Sequence, residues 1–339
     1  MTDYASINTN QTVHSVETLL QRAIPMMVLE QFGQLKPMPS NSTKSLDFRR
    51  HKLPIPTTAS GFILAEGVTP TEAIPTMESV TVTLQQYGAV VGVTDVVDDM
   101  HIDDVLTEYM GILGEHAGQV IELMRWSSIV SDTSANVIYA NGVASDAQVT
   151  TSLTSKEVRA GLRSIKANYG KAITKMAKAG TDYGAQAIEP AYIAVINSDL
   201  EATIRGNLGA NFTPVADYGP GAQKFQGEFG NYENIRFISS ALLGKRANAG
   251  VAVASAPTLL SDDGVNVNLY DTCIFAADAW VGVALKGAYA VTPSMHRAAV
   301  SDSDPLAQRS KAGYKTMQAA KVVQVAHIKK LVTGCLKDF

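Results

Sequence analysis

Carboxylates crowd one short stretch of the chain. Thr94 to Asp104, TDVVDDMHIDD, sets five of them and His101 within eleven residues, an oxygen-rich group of the kind that calcium or magnesium binds. The spacing departs from the calcium-loop pattern and the turn has no glycine, so the competing use is an acidic helix start, where carboxylates suit the positive end of the dipole. Ser261 to Asp271, SDDGVNVNLYD, is a second cluster open to the same two uses. Nucleophilic catalysis needs serine, histidine and carboxylate in concert, yet no GxSxG occurs and the histidines at 14, 51, 101, 116, 296 and 327 sit in unrelated contexts. Gly219 to Gly230, GPGAQKFQGEFG, is glycine-rich but lacks the G-K-[ST] ending of a phosphate cradle. A loop with positive-φ positions is the expected use. Cys273 and Cys335 have neither a CxxC nor a histidine at ligand spacing, so neither a disulfide framework nor a zinc site is expected. No active site, metal or cofactor emerges.

Composition and periodicity define the elements that surround these residues. The 339 residues, 46 % hydrophobic and 18 % charged, suffice for about two domains or one with large excursions. No apolar run nears the ~18 residues of a spanning helix, and MTDYASINTNQTVHSVETLL lacks the basic and apolar regions of a signal peptide. A cytoplasmic protein without membrane contact is expected. The net charge of −4 gives no general basic footprint for nucleic acid, which leaves only local patches.

Residues 1–14 read as a loose polar arm. Val16 to Phe32 carries Leu19, Leu20, Ile24, Met27 and Val28 at helical spacing, broken at Pro25, and LKPMPSNS follows as a linker. From Asp103 and Asp104, the residues Leu106, Met110, Leu113, Ala117, Val120 and Met124 step by threes and fours, which predicts a helix of ~25 residues, about 35–40 Å long. His116 on it is read as a packed or surface residue. Thr154 or Ser155 caps a second helix that ends at Gly170, and another starts at about Asp199. AYIAVIN, NIRFISS, VAVASAPTLL, VNVNLY, CIFAADAWVGVALKG and KVVQVAHIKKLV read as strands. Helices and strands mix without a βαβ period, so the expected class is α+β.

Between linker and long helix lies a segment with little to bury. Thr43 to Lys52, TKSLDFRRHK, and a return alternating Val80, Val82 and Leu84 against Thr81, Thr83 and Gln85 form two strands joined by a Pro/Thr-rich tip. Such a hairpin, with strands of ~33 Å, is marginal alone. Arg49, Arg50, His51 and Lys52 lie on its first strand, and Glu66, Glu72 and Glu78 lie along the return. Either it lies on its own domain, or it packs on another copy and the chain is an assembly subunit. In the second case Phe48, Arg49, Arg50, Lys52, Glu66, Glu72, Val80, Val82 and Leu84 are the expected contact residues, with the cations meeting acidic residues of a neighbour.

Several short motifs then point one way. Glu66-Gly67-Val68 with Pro70, Gln86-Tyr87-Gly88 leading to Thr94-Asp95, and Pro214-Val215 with Tyr218 are three of them. Gly227-Glu228-Phe229-Gly230 before Arg236-Phe237, Asp304-Pro305-Leu306, and Gly313-Tyr314-Lys315 are the others. Together with the order of elements they resemble the major capsid protein family of podophages similar to coliphage N4, within the HK97-like fold of tailed-phage capsids. The likeness runs from about residue 45 to 330 and is weakest over the first forty.

The resemblance implies an HK97-like α+β fold. Its parts would be an N-terminal arm (1–42), an extended loop (43–92), a peripheral domain with a spine helix (93–154), a mostly axial domain (155–290) and a β-rich return to the peripheral domain (291–339). It implies a shell protein without catalytic residues, assembled in the host cytoplasm as hexamers and pentamers of an icosahedral head in the virion. Its implied partners are the portal protein, separate scaffolding and decoration proteins, and packaged double-stranded DNA bound without sequence specificity. Two other functions stay open: an encapsulin-like compartment, and a metal-dependent hydrolase built on Asp95 to Asp104.

Overall fold

The computed structural model describes residues 27–39, 43–53, 55–56, 58–64, 66–67, 69, 72–100, 105–177, 185–219, 224–285, 291–300 and 305–337. In chain order the first elements are β1 (Gln34–Met38), β2 (Ser45–Lys52), β3 (Thr76–Thr83), β4 (Gln85–Thr94), α1 (Asp95–Met100), α2 (Val105–Asp132) and β5 (Val137–Tyr139). Then come α3 (Ser155–Ala167), β6 (Ile173–Ala177), β7 (Ala185–Asn197), α4 (Leu200–Leu208), β8 (Thr213–Pro214), β9 (Glu228–Tyr232), β10 (Ile235–Ser240) and β11 (Lys245–Arg246). The last are β12 (Leu269–Phe275), β13 (Trp280–Leu285), β14 (Val291–His296), β15 (Arg309–Val322) and β16 (Ile328–Thr333).

Three sheets result. A nine-stranded sheet runs β5-β16-β12-β7-β10-β9-β8, with β11 on β12 and β6 on β7. A five-stranded sheet runs β1-β13-β15-β14, and β4 takes the other edge of β15. The third is the two-stranded β2-β3 hairpin. Strand exchange joins the two larger sheets: β13 precedes residue 290 yet pairs with β15, whereas β16 lies beyond it yet pairs with β12.

The nine-stranded sheet is covered on both faces. Leu162, Ile165, Ile204 and Leu208 from α3 and α4 pack with Ala194, Ile196, Phe237 and Ile274 on one side. Met124, Trp126 and Ile129 from α2 pack with Ile193, Val195, Ile238 and Phe275 on the other. Every residue of β12 is therefore buried, Cys273 included, and both cysteines are free thiols. Thr154 caps α3, and the Glu157 carboxylate accepts the Thr154 N–H (3.1 Å), completing a capping box.

Helix α2 joins the sheets. Its 28 residues span about 42 Å at 1.5 Å each. Leu106, Met110, Leu113 and Ala117 press on Val93, Ala312 and Tyr314 of the five-stranded sheet, while Met124 onward reaches the nine-stranded one. The expected apolar stripe is present with one shift: Ile121 is buried where Val120 is half-buried. The acidic start at Asp103 and Asp104 lies outside the described residues. Between β4 and β15, Gly88 allows close approach, because a Cβ there would stand 2.6 Å from the Tyr314 carbonyl.

Four expectations change. Most of the helix expected over Val16 to Phe32 lies outside the described residues, and the described end holds only a 3₁₀ turn, Leu29–Gln31. The expected linker contains β1, which pairs in parallel with β13; Pro37 is tolerated because β1 is an edge strand. VAVASAPTLL holds a 3₁₀ turn, Val253–Ser255, and isolated bridges rather than a strand, and KVVQVAHIKKLV is split by the turn Val325–His327.

The segment before β1 is fixed by buried charge. Glu122 Oε1 accepts the N–H groups of Val28 (2.8 Å) and Leu29 (2.7 Å), and Arg125 Nη1 reaches Glu30 Oε2 at 3.1 Å. Burial pushes the Glu122 carboxyl up to about 7, against the two N–H donors and the Arg125 charge, which pull it down. The folded chain holds this proton to about pH 7 whereas the unfolded chain releases it near 4.5, so stability falls as pH rises through that window. Glu122→Gln keeps an oxygen for both N–H groups but does not titrate. Between roughly pH 5 and 8 the variant is expected to gain about 3 kcal/mol on the parent, read from urea midpoints; parallel pH curves would contradict the assignment.

Candidate inter-subunit interface

β2 and β3 pair antiparallel, from Ser45 with Thr83 to Lys52 with Thr76. Side chains alternate between faces, so Leu46 and Val82, Phe48 and Val80, and Arg50 and Glu78 follow one another outward along a single face. That face grades from apolar at the base to charged near the tip. The opposite face is polar: the Thr81 hydroxyl donates to Asp47 Oδ1 at 2.6 Å.

The base is anchored inside its own subunit. Val82 and Leu84 are each 2 % exposed. They pack with Met38 of β1, Val281 and Val283 of β13, and Ala319 of β15, with half-buried Leu46 and Phe48 alongside. Lys36 Nζ lies 5.1 Å from the centroid of the Phe48 ring. Val82 and Leu84 are thus not a face for a partner, contrary to expectation; the sheet beneath them supplies their core. Val80 is half-buried.

The charges divide in the same way. Glu78 receives Arg50 Nη2 at 2.6 Å and Lys52 Nζ at 2.9 Å. The Lys52 and Arg50 hydrogen bonds hold its carboxyl below the usual carboxylate range. Arg50 and Lys52 therefore find an acid on their own hairpin, Glu78, beside whatever they meet in a neighbour. Arg49, Glu66 and Glu72 are exposed.

What the charge pattern hid is an apolar tip. Leu53, Ile55, Phe62, Ile63, Leu64, Ile74 and Met77 are each between 57 % and 81 % exposed, a concentration that marks an interaction surface. The available signal was Phe62-Ile63-Leu64, an apolar run in a segment with no periodic face to bury it.

The described members of the clusters that suggested catalysis hold backbone turns. Asp95 opens α1 and its Oδ1 accepts the Val96 N–H at 2.8 Å, while His101, Asp103 and Asp104 lie outside the described residues. Asp263 Oδ1 accepts the N–H groups of Val265 (2.8 Å) and Asn266 (3.0 Å), which close their own turn and depress its pKa. His116 Nδ1 lies 2.8 Å from the Tyr314 hydroxyl, and His327 Nε2 donates to the Asn168 carbonyl at 3.2 Å. Gly227 has φ +76°, a turn position in its glycine-rich loop. Among the described residues no group of three or more His, Cys, Asp or Glu is placed to hold a metal.

A family model described as phage capsid protein matches residues 77–300. The chain belongs to the phage capsid protein family. It is a structural component of a virion shell, with an HK97-like α+β fold. Solved relatives share that fold at low identity. The capsid of Ralstonia phage GP4 superposes with a TM-score of 0.65 at 13 % identity, covering 91 % of this chain and 88 % of that one. The cyanophage Pam1 capsid gives 0.59 at 13 %, covering 94 % and 93 %. The head of Helicobacter pylori bacteriophage KHP40 gives 0.58 at 11 %, covering 92 % and 89 %. No curated protein sequence matches.

Base and tip of the capsid protein's hairpin differ in what they stabilise. Leu84→Ala opens a cavity between the hairpin and the five-stranded sheet and is expected to cost about 2–5 kcal/mol. Ile63→Ser, at an exposed position, is expected to stay within about 0.5 kcal/mol. Chemical denaturation of unassembled subunits checks both; equal costs would contradict the division.

Proposed function

We propose that the chain is the major capsid protein of a tailed phage and that its copies form hexamers and pentamers of an icosahedral shell around double-stranded DNA. Residues 43–92 serve as the extended loop that reaches a neighbouring subunit. Residues 93–154 and 291–339 make up most of the peripheral part, and residues 155–290 most of the axial part. The carrying observation is the apolar tip on a base that its own subunit holds. A loop anchored at one end and coated with unburied Leu, Ile, Phe and Met side chains needs a second surface.

Each such side chain gains roughly 1.5–3 kcal/mol on full burial, against the ordering and association costs of binding. One loop contact is therefore modest, and closed symmetry multiplies it. Phe48, Val80 and the tip residues provide the apolar part; Arg49, Glu66 and Glu72 set register at the rim. No catalytic step is assigned to the chain. Assembly takes place in the host cytoplasm, with a portal protein, separate scaffolding and decoration proteins as further partners. The narrower kinship with podophages similar to coliphage N4 rests on the sequence motifs alone.

Deleting residues 54–75 is expected to leave a folded subunit, by circular dichroism, that forms no closed particles under electron microscopy. The double substitution Phe62→Asp/Ile63→Asp is expected to act in the same direction. Closed shells from either variant would remove the loop from the assembly mechanism.

A further inference from the structure

Helix α3 turns one side into the nine-stranded sheet and the other to solvent. Val158, Gly161, Leu162 and Ile165 are buried, whereas Lys156, Arg159, Arg163 and Lys166 are exposed. Steps of three, four and three residues put these four cations on one stripe of the helix. Lys171, also exposed, follows just beyond the C-terminus. Within residues 156–171 the only carboxylate is Glu157, which is buried and engaged at the N-cap.

Glu233 neutralises part of the stripe, pairing with Arg159 and acting at longer range on Lys166. Arg159 Nε donates to Glu233 Oε1 at 2.9 Å, and Lys166 Nζ stands 5.8 Å from the centre of the Tyr192 ring. Among the described residues Lys156, Arg163, Lys166 and Lys171 form no salt bridge. Like charges three and four residues apart repel and weaken a helix. A face shaped only by solubility, in a chain of net charge −4, would alternate signs as solvated helices do. A single-signed stripe becomes favourable when a polyanion lies along it.

We propose that this face of α3 is where the capsid protein contacts the phosphate backbone of duplex nucleic acid, an assignment that rests on the shell function proposed above. From Lys156 to Lys166 the stripe covers about 15 Å at 1.5 Å per residue. Over that length a duplex presents roughly nine phosphate charges. The contact is electrostatic and positions the duplex by its phosphates, since the stripe offers long flexible cations on a helix whose other side is buried in the sheet. Each copy makes a few salt-sensitive contacts, and the shell repeats them.

The test compares the full-length parent with the triple variant Lys156→Gln/Arg163→Gln/Lys171→Gln, together with Lys156→Arg/Arg163→Lys/Lys171→Arg as a charge-preserving control. Fluorescence anisotropy with a duplex of about 30 base pairs of arbitrary sequence is recorded across salt concentrations, and assembly is followed by electron microscopy. The glutamine variant is expected to bind at least about tenfold more weakly at low salt, with a slope of log affinity against log salt shallower by about 2–3. The control is expected to match the parent, and all three proteins to form closed particles. Unchanged affinity and slope in the glutamine variant overturn the stripe while leaving the shell function standing. Closed particles lost only in the glutamine variant, with its duplex affinity intact, also overturn it and assign the stripe to an acidic protein surface. If the parent forms no closed particles even when co-expressed with the scaffolding and portal proteins proposed as its partners, the closed-shell assembly proposed above fails whatever the duplex affinity.

Discussion

Glu122 and Arg125, buried in the second half of α2, are the constraint on which the other contacts depend. Carboxylate and guanidinium are costly to bury unless matched, and here the match is a remote stretch of chain: the backbone of Val28 and Leu29, and the side chain of Glu30. With that stretch fixed, β1 begins four residues later beside β13 and delivers Met38 beneath Val82 and Leu84. The seat of the hairpin thus traces back to two side chains on the helix that links the sheets. Hydrophobic burial supplies most of the stabilisation, while the charges select which segment fills the gap. A wrong segment would leave Glu122 and Arg125 buried without partners.

Parts of this order were legible in the sequence because they rest on local periodicity. The three- and four-residue steps of α2, a helix cap at Thr154 or Ser155 and the strand in AYIAVIN all lie within a few residues of their cause. The missed parts depend on partners far along the chain. β1 reads as a linker because Pro37 and the neighbouring Pro39 suggest one, and only β13 makes it a strand. Val82 and Leu84 look like a surplus apolar face when the hairpin is considered alone, since Val281, Val283 and Ala319 arrive far along the chain, in β13 and β15. The proposed interface is legible as a segment but not residue by residue. Charge drew attention to Arg50 and Lys52, which Glu78 satisfies locally, while the plain apolar run at Phe62 to Leu64 held the larger clue.

The family match and the geometry meet at the same division of labour. A capsid protein needs a rigid body and a compliant reach, and here these differ in how their side chains are satisfied. In the body, β12 is buried end to end and α3 and α4 close one face of its sheet. In the reach, apolar groups stay open to solvent. The motifs that resemble the podophage family fall partly at physical necessities, such as Gly88, where a side chain would strike the backbone of β15.

The hairpin is also continuous with the body. β3 ends at Thr83 and β4 starts at Gln85, so the outgoing arm and the edge of the five-stranded sheet are one strand interrupted only at Leu84. β4 is held to β15 over ten residue pairs, from Gln85 with Gln318 to Thr94 with Arg309. Hydrogen bonds of an antiparallel ladder lie perpendicular to the strands. A pull on the loop along its axis therefore loads all of those bonds together in shear, instead of opening them one after another as a zipper does. In the proposed shell, tension from outward pressure would run through the peptide backbone into the widest ladder of that sheet, and the arm would be a tie rod as much as a contact.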